Sequence, residues 1–200
     1  QMAMPAGNYF LTRVMAPFGD EAVASWAVVA RLTALAFGGI FALSGAIGGI
    51  FGQNFGARQF NRLVSTYRDA LIFCLIYTLC VWGIFYTITP YIVTSFGLQK
   101  EGKDILNAFT FVGVGSYIFI GGLFVSNAAF NNLGKPMRSA VLNWIKDGVL
   151  SWPLAIWLSA SFGAAGVIYG QAAAGIMIGA FASLWGWRYV SSFTTVLSDQ

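Results

Sequence analysis

Apolar residues fill six long stretches of the chain, at about 1–16, 21–51, 63–89, 105–130, 139–159 and 165–187, and polar residues gather between them. Each stretch is too long for a strand. Most are apolar on every side, which is the pattern of a helix surrounded by lipid or by other helices. The breaks are short: Ala16-Pro17-Phe18-Gly19-Asp20, then Gly52 to Arg62, Ser95 to Asp104, Asn131 to Pro136, and Ser161 to Ala164. Pro90 reads as the stop of the third stretch, and a polar tail is expected from about residue 189. The first stretch would span only ~24 Å as a helix, against the ~30 Å of a bilayer core, so it reads as a truncated membrane helix. The pattern predicts an all-α membrane protein, residues 1–200 forming a single bundle of six transmembrane helices without a linker.

Composition narrows the class further. Charged residues are 9% of the chain and hydrophobic residues 58%, with a mean hydropathy of +0.71. A soluble domain carries about 25% charged residues, so most of this surface faces the lipid bilayer. The net charge of +4 sits at segment ends rather than on one face, which excludes a nucleic-acid partner. Cys74 and Cys80 are six apart on one stretch, on different sides of a helix, and there is no histidine. Neither a disulfide nor a metal site is expected.

The polar run Gly52-Gln53-Asn54-Phe55-Gly56-Ala57-Arg58 organises the first half. Gly45 with Gly49, and Gly48 with Gly52, are four apart and are expected to give the preceding helix small faces for close approach. Gly56 is expected at the point where the helix stops and reverses. Gly166, Gly170, Gly175 and Gly179 repeat the small-residue spacing on the last stretch. Arg58, Arg62, Arg68, Lys135, Arg138 and Arg188 all fall on one side if every stretch spans, while the opposite side has Lys100 and Lys103, each beside an acid. That asymmetry predicts a multi-pass protein with a cytoplasmic C-terminus.

Polar residues inside the apolar stretches mark the candidate site. Ser139, Asn143, Asp147 and Ser151 repeat every four positions along the fifth stretch. Met4, Asn8 and Thr12 share that spacing on the first, and Tyr117, Phe124, Asn127 and Asn131 share a side of the fourth. Buried polar groups in lipid usually face the bundle or a water-filled cavity. The asparagines either hydrogen-bond neighbouring helices or contact a substrate, and the aromatics either pack the core or face a ligand. Lys146 adjoins Asp147, about 100° around the helix, and is not expected to pair with it on one face. The Asp147 carboxylate must then be neutral, or held by Lys146 from another turn, by Arg31 or by a transported ion. Arg31 itself reads as an anchor near the outer headgroups or the partner of an acid.

Ala16-Pro17-Phe18-Gly19 with Ala22 and Ala24, the run Gly52-Gln53-Asn54-Phe55-Gly56-Ala57 with Arg62, Asn127 to Phe130 with Leu133-Gly134-Lys135-Pro136, and Pro153 with Gly163 and Gly166 together resemble the carboxy-terminal lobe of a multidrug and toxic compound extrusion (MATE) transporter. The resemblance implies one lobe of a two-lobe, twelve-helix protein of the inner cell membrane. Its partner would be the missing N-terminal lobe of the same protein. It also implies export of small amphipathic or cationic compounds, coupled to inward Na⁺ or H⁺, with no other cofactor. Some members carry a glutamate where Met4 stands and an aspartate on the helix here running over 105–130. This chain has neither, so it is closer to the branch whose coupling aspartate lies on the other lobe.

Three function classes are therefore weighed. A multidrug antiporter follows from the resemblance, with Asn8, Thr12, Tyr117, Asn127, Asn143 and Asp147 as cavity candidates and Gly52, Gln53, Asn54, Gly56 and Ala57 as the family motif. A flippase of lipid-linked oligosaccharide or another lipid is the alternative within the same superfamily. It needs basic residues for a phosphate, and only Arg13, Arg31 and Lys146 are available. A membrane enzyme is the third, and the sequence has no histidine, close acid pair or serine–base arrangement to support one.

Overall fold

Helices account for nearly all of the chain because, in lipid, backbone N–H and C=O groups must be satisfied within the segment. The computed structural model describes the backbone of residues 3–195 and the side chains of 7–194, and no strand occurs among them. The order is α1 (Ala3–Met15), a 3₁₀ turn (Ala16–Phe18), α2 (Asp20–Ala36), α3 (Gly38–Gly56), α4 (Phe60–Ser95), α5 (Lys100–Ala108), α6 (Val114–Asn132), α7 (Pro136–Trp144), α8 (Ser151–Phe162) and α9 (Ala165–Thr195). A π turn at Phe109–Gly113 joins α5 to α6, and a second at Ile145–Leu150 joins α7 to α8. The described residues thus form six rods, one for each apolar stretch.

Three rods are long and apolar enough to cross a membrane unaided: Phe60–Ser95, Lys100–Asn132 and Ala165–Thr194. The pair α2 and α3, bent by 49°, makes a fourth. Of the six expected spans, α1 has 13 described residues, and the rod over 136–162 is broken by a π turn holding Lys146 and Asp147. Neither passes on length and hydropathy alone.

The bend between α2 and α3 has a clear cause. Phe37 separates the helices, is fully buried, and stacks on Tyr117 with ring centroids 3.6 Å apart. Tyr77 donates its hydroxyl to the Ala36 carbonyl at 2.8 Å, and a side chain at Gly39 would strike the Tyr77 ring. The carbonyl freed by the break is therefore satisfied from α4 rather than by the helix itself.

Several local expectations need correction. Pro90 does not stop α4, which continues to Ser95. Near the proline, Thr89 donates its hydroxyl to the Phe85 carbonyl at 2.7 Å and Thr94 to that of Pro90 at 2.6 Å, each one turn earlier on the same helix. The residue with positive φ after α3 is Arg58 (φ 55), not Gly56, which is the last residue of the helix. Gly45, Gly49, Gly52 and Gly56 meet nothing within 4 Å of an added Cβ, whereas at Gly48 it would meet the Asn132 amide. The close approach lies instead on α9. There, side chains at Gly166, Gly170 and Gly179 would run into the backbone of Leu158, Ala155 and Phe119. The tail expected from residue 189 is still helix through Thr195.

α6 occupies the centre. The most apolar window of the Lys100–Asn132 rod is 61% buried against 17% for that of α4, so α4 lies at the lipid-facing edge. Tyr67 of α4 shares a 2.7 Å hydrogen bond with Ser126 of α6 and donates to the Ser183 carbonyl of α9 at 3.0 Å. Such interhelical bonds contribute about 0.6 kcal/mol each. Where α6 meets α7, Arg138 lies over Trp185 at 4.8 Å and Tyr189 at 4.7 Å, which fastens the end of α9 to the start of α7.

Candidate functional site

The rods enclose a cavity of about 750 Å³ between α2 and α3 on one side and α6, α7 and the second π turn on the other. Its lining includes the aromatic residues Trp26, Phe41, Tyr117, Phe124 and Trp144 and the polar residues Asn8, Asn127, Asn131, Ser139, Asn143, Lys146 and Asp147. Local features bring these residues to the cavity. The bend at Phe37 lets both Thr33 of α2 and Ser44 of α3 face inward. The spacing of four brings Ser139, Asn143 and Asp147 to one side of the α7 rod.

Five of the six candidates from the sequence meet here: Asn8, Tyr117, Asn127, Asn143 and Asp147. Thr12 does not line the cavity; its hydroxyl donates to the Asn8 carbonyl one turn earlier at 2.8 Å. The Met4 side chain lies outside the described residues. Ser151, the fourth member of the stripe, is buried but absent from the lining. The π turn explains this: it inserts about one residue, so the positions beyond it rotate by roughly 100°. Pro153 follows closely and cannot donate to the carbonyl four residues back, which favours an irregular turn there.

Lys146 and Asp147 are paired, contrary to the expectation drawn from a regular helix. The Lys146 ammonium binds Asp147 Oδ1, and both side chains are 11% exposed. The unwound backbone brings neighbouring side chains to the same cavity. They are the one cation and the one carboxylate among the described lining residues. Breaking such a pair by removing one member typically costs 3–5 kcal/mol. Gly7 lets α1 close over it, since a Cβ there would lie 3.0 Å from that of Asp147.

Two amides of the lining are hydrogen-bonded to each other. Asn127 of α6 donates Nδ2 to Asn143 Oδ1 at 3.3 Å, and Asn143 donates its own Nδ2 to the Ser139 carbonyl at 2.8 Å. Asn127 Oδ1 is buried without a partner among the described residues. The asparagines thus bond each other across helices and line the cavity at the same time. Among the aromatic lining residues, Tyr117 stacks on Phe37, and Phe124 meets Phe41 edge-on at 5.3 Å.

The MatE family profile matches residues 1–157. This chain belongs to the MatE family.

Solved MATE structures share the fold. The bent form of the Vibrio cholerae MATE transporter VcmN superposes with a TM-score of 0.85 at 21% identity, over 96% of this chain and 44% of that one. A MATE protein in its straight conformation gives 0.88 at 21% identity, over 98% and 44%. An outward-facing multidrug resistance MATE transporter of the MOP superfamily gives 0.86 at 19% identity, over 97% and 44%. An uncharacterized 21 kDa protein of Pseudomonas savastanoi, from the iaaL 5′ region, is 42% identical over 62 residues, 31% of this chain and 20% of that protein. The chain therefore spans less than half the length of the solved transporters it matches.

Within this MatE chain the motif residues Gly52, Gln53, Asn54, Gly56 and Ala57 lie apart from the cavity, at the end of α3 and its exit. Gln59 N–H donates to the Asn54 carbonyl at 2.8 Å to close the turn. Phe55 packs on Phe193 with centroids 5.1 Å apart. Arg31 is exposed and outside the lining, with no ion pair among the described residues. Lys146, weighed from the sequence only as a basic residue for a phosphate or a partner of Asp147, lines the cavity, and sequence reasoning missed Gln171 of α9 and Trp26 of α2. Gln171 left a signal, as an amide inside an otherwise apolar stretch.

Proposed function

We propose that this chain is one lobe of an exporter of amphipathic, cationic small molecules, driven by inward movement of Na⁺ or H⁺. The observation that carries the reading is the cavity's lining, in which aromatic rings and amides stand together with a single carboxylate. Rings take up the apolar body and faces of a flat cation, and the carboxylate attracts its charge. The second lobe comes from the same protein, a reading supported by coverage of 44% of the solved transporters. The two lobes rock about a site near the bilayer midplane, and substrate and ion compete for overlapping positions. The protein sits in the inner membrane with its C-terminus in the cytoplasm.

Against a lipid flippase stands the charge of the lining. A phosphate-bearing substrate calls for free basic groups, whereas Lys146 is engaged by Asp147, and Arg13 and Arg31 lie outside the described lining. Co-expression tests the reading. The 200-residue chain alone confers no resistance to cationic dyes, and together with its other lobe it restores efflux. Ion-coupled efflux by the purified chain alone would contradict the half-transporter reading. Gln59 is then labelled by an impermeant reagent only from inside and Gln99 only from outside; labelling of Gln59 on intact cells would reverse the orientation.

A further inference from the structure

Ser139, Ala140 and Asn143 of α7 line the cavity, and Arg138 lies on the opposite side of that helix. Its guanidinium stands over three rings, Tyr189 at 4.7 Å, Trp185 at 4.8 Å and Phe130 at 5.6 Å. The rings hold one another in place. Phe130 packs on Trp185 at 5.3 Å and on Tyr189 at 5.6 Å, and the Tyr189 hydroxyl donates to the Leu133 carbonyl at 2.6 Å. Ring faces attract a cation but leave the N–H groups in the guanidinium plane without an oxygen acceptor. Among the described residues the two ion pairs, Arg68 with Asp69 and Lys146 with Asp147, leave Arg138 out, and no oxygen takes a hydrogen bond from its guanidinium. The helices that build the cage, α6, α7 and α9, carry no acid at all, while Lys135 precedes α7 and Arg188 adjoins Tyr189.

The cage sits at one end of the bundle, where Trp and Tyr rings meet the membrane interface. An apolar surface runs from it into the membrane. Phe181 packs on Trp185 one turn back along α9 at 5.6 Å and is 55% exposed, and Leu184 of the same helix is exposed as well. We infer that Arg138 and its rings bind the phosphate of an anionic phospholipid, with an acyl chain lying along Phe181 and Leu184. The planar guanidinium meets phosphate oxygens in pairs, and the rings hold it ready to do so. Lys135 and Arg188 favour a headgroup with net negative charge over a zwitterionic one. The adjoining apolar surface assigns the phosphate to a lipid rather than to a soluble anion. Such a lipid joins three rods at a place apart from the cavity, whatever the cavity carries.

The experiment reconstitutes the full chain in phosphatidylcholine vesicles that contain a minor share of phosphatidylglycerol. Bromine is carried on the acyl chains either of the phosphatidylglycerol or of an equal amount of the phosphatidylcholine. Brominated chains quench tryptophan on contact, and Trp185 of the cage is the reporter. Phosphatidylglycerol is expected at the site about fivefold above its share of the bilayer, the effect of one basic residue near the surface, so its brominated form quenches more. Arg138→Met keeps a stem over the rings without the charge and brings the two lipids to equality. Arg58→Met removes an exposed charge at the same end, outside the cage, and leaves the excess in place. Because each comparison is a ratio within one preparation, a partly destabilised variant does not mimic the effect. Equal quenching by the two lipids in the unmodified chain would overturn the site. So would an equal loss in both variants, which is diffuse attraction to a basic surface, or loss of the excess on adding glycerol 3-phosphate, which is a site for a soluble anion.

Discussion

The rods over 100–132 and 136–162 each contain a π turn, and both turns border the same cavity. The first, Phe109–Gly113, is filled by its neighbours. Phe109 meets Phe85 edge-on at 5.6 Å, Thr110 shares a 2.7 Å hydrogen bond with Thr89, and both residues are buried. The second, Ile145–Leu150, turns Lys146 and Asp147 into open volume, with α1 approaching only through Gly7. A π turn interrupts the regular ladder and re-aims the side chains around it. Where helices close against it, the result is packing. Where they leave a cavity, the same device holds an ion pair at a depth that a regular helix would not favour.

The largest effect that separates the turns is the loss of one charge. Lys146→Met leaves the Asp147 carboxylate buried and unpaired and is expected to destabilise the fold by about 3–5 kcal/mol. The double change Lys146→Met with Asp147→Leu recovers most of that loss. Denaturant unfolding in micelles measures both, and a single variant no worse than the double would mean that the pair is not buried in the folded chain.

Next in size is the approach of α1. Gly7→Val pushes methyl groups against Asp147 and should cost about 1–3 kcal/mol, as overpacking does. An unchanged melting temperature would show that α1 does not close over the second turn. The smallest effect belongs to the first turn. Thr110→Val removes its hydrogen bond to Thr89, whose hydroxyl still serves the Phe85 carbonyl, so a loss of only about 0.6 kcal/mol is expected, with dye efflux intact. A transport defect in this variant would give the two turns equal standing.

What the sequence made legible follows from periodicity. Six rods follow from the length of the apolar stretches and the stripe Asn143–Asp147 from a repeat of 3.6 residues, and the structure keeps both. What it concealed are the departures from that repeat. The bend at Phe37 depends on rings and a hydroxyl from distant positions, Tyr117 and Tyr77. The Lys146–Asp147 pair and the loss of Ser151 from the lining both follow from one inserted residue, which no regular wheel anticipates. Glycine spacing misled in α3 and succeeded in α9, because spacing shows where a neighbour can approach and not whether one is there.

The central claim is that the second π turn presents Asp147 to a transported cation rather than merely fixing it to Lys146. Asp147→Asn keeps the shape and removes the charge. Assayed in membranes containing both lobes, on protein that elutes monodisperse with an unchanged helical signal, the Asn variant is predicted to be less stable by about 3–5 kcal/mol through its unpaired Lys146 and to lose efflux of cationic dyes. Full efflux by a normally folded Asn variant would contradict the claim.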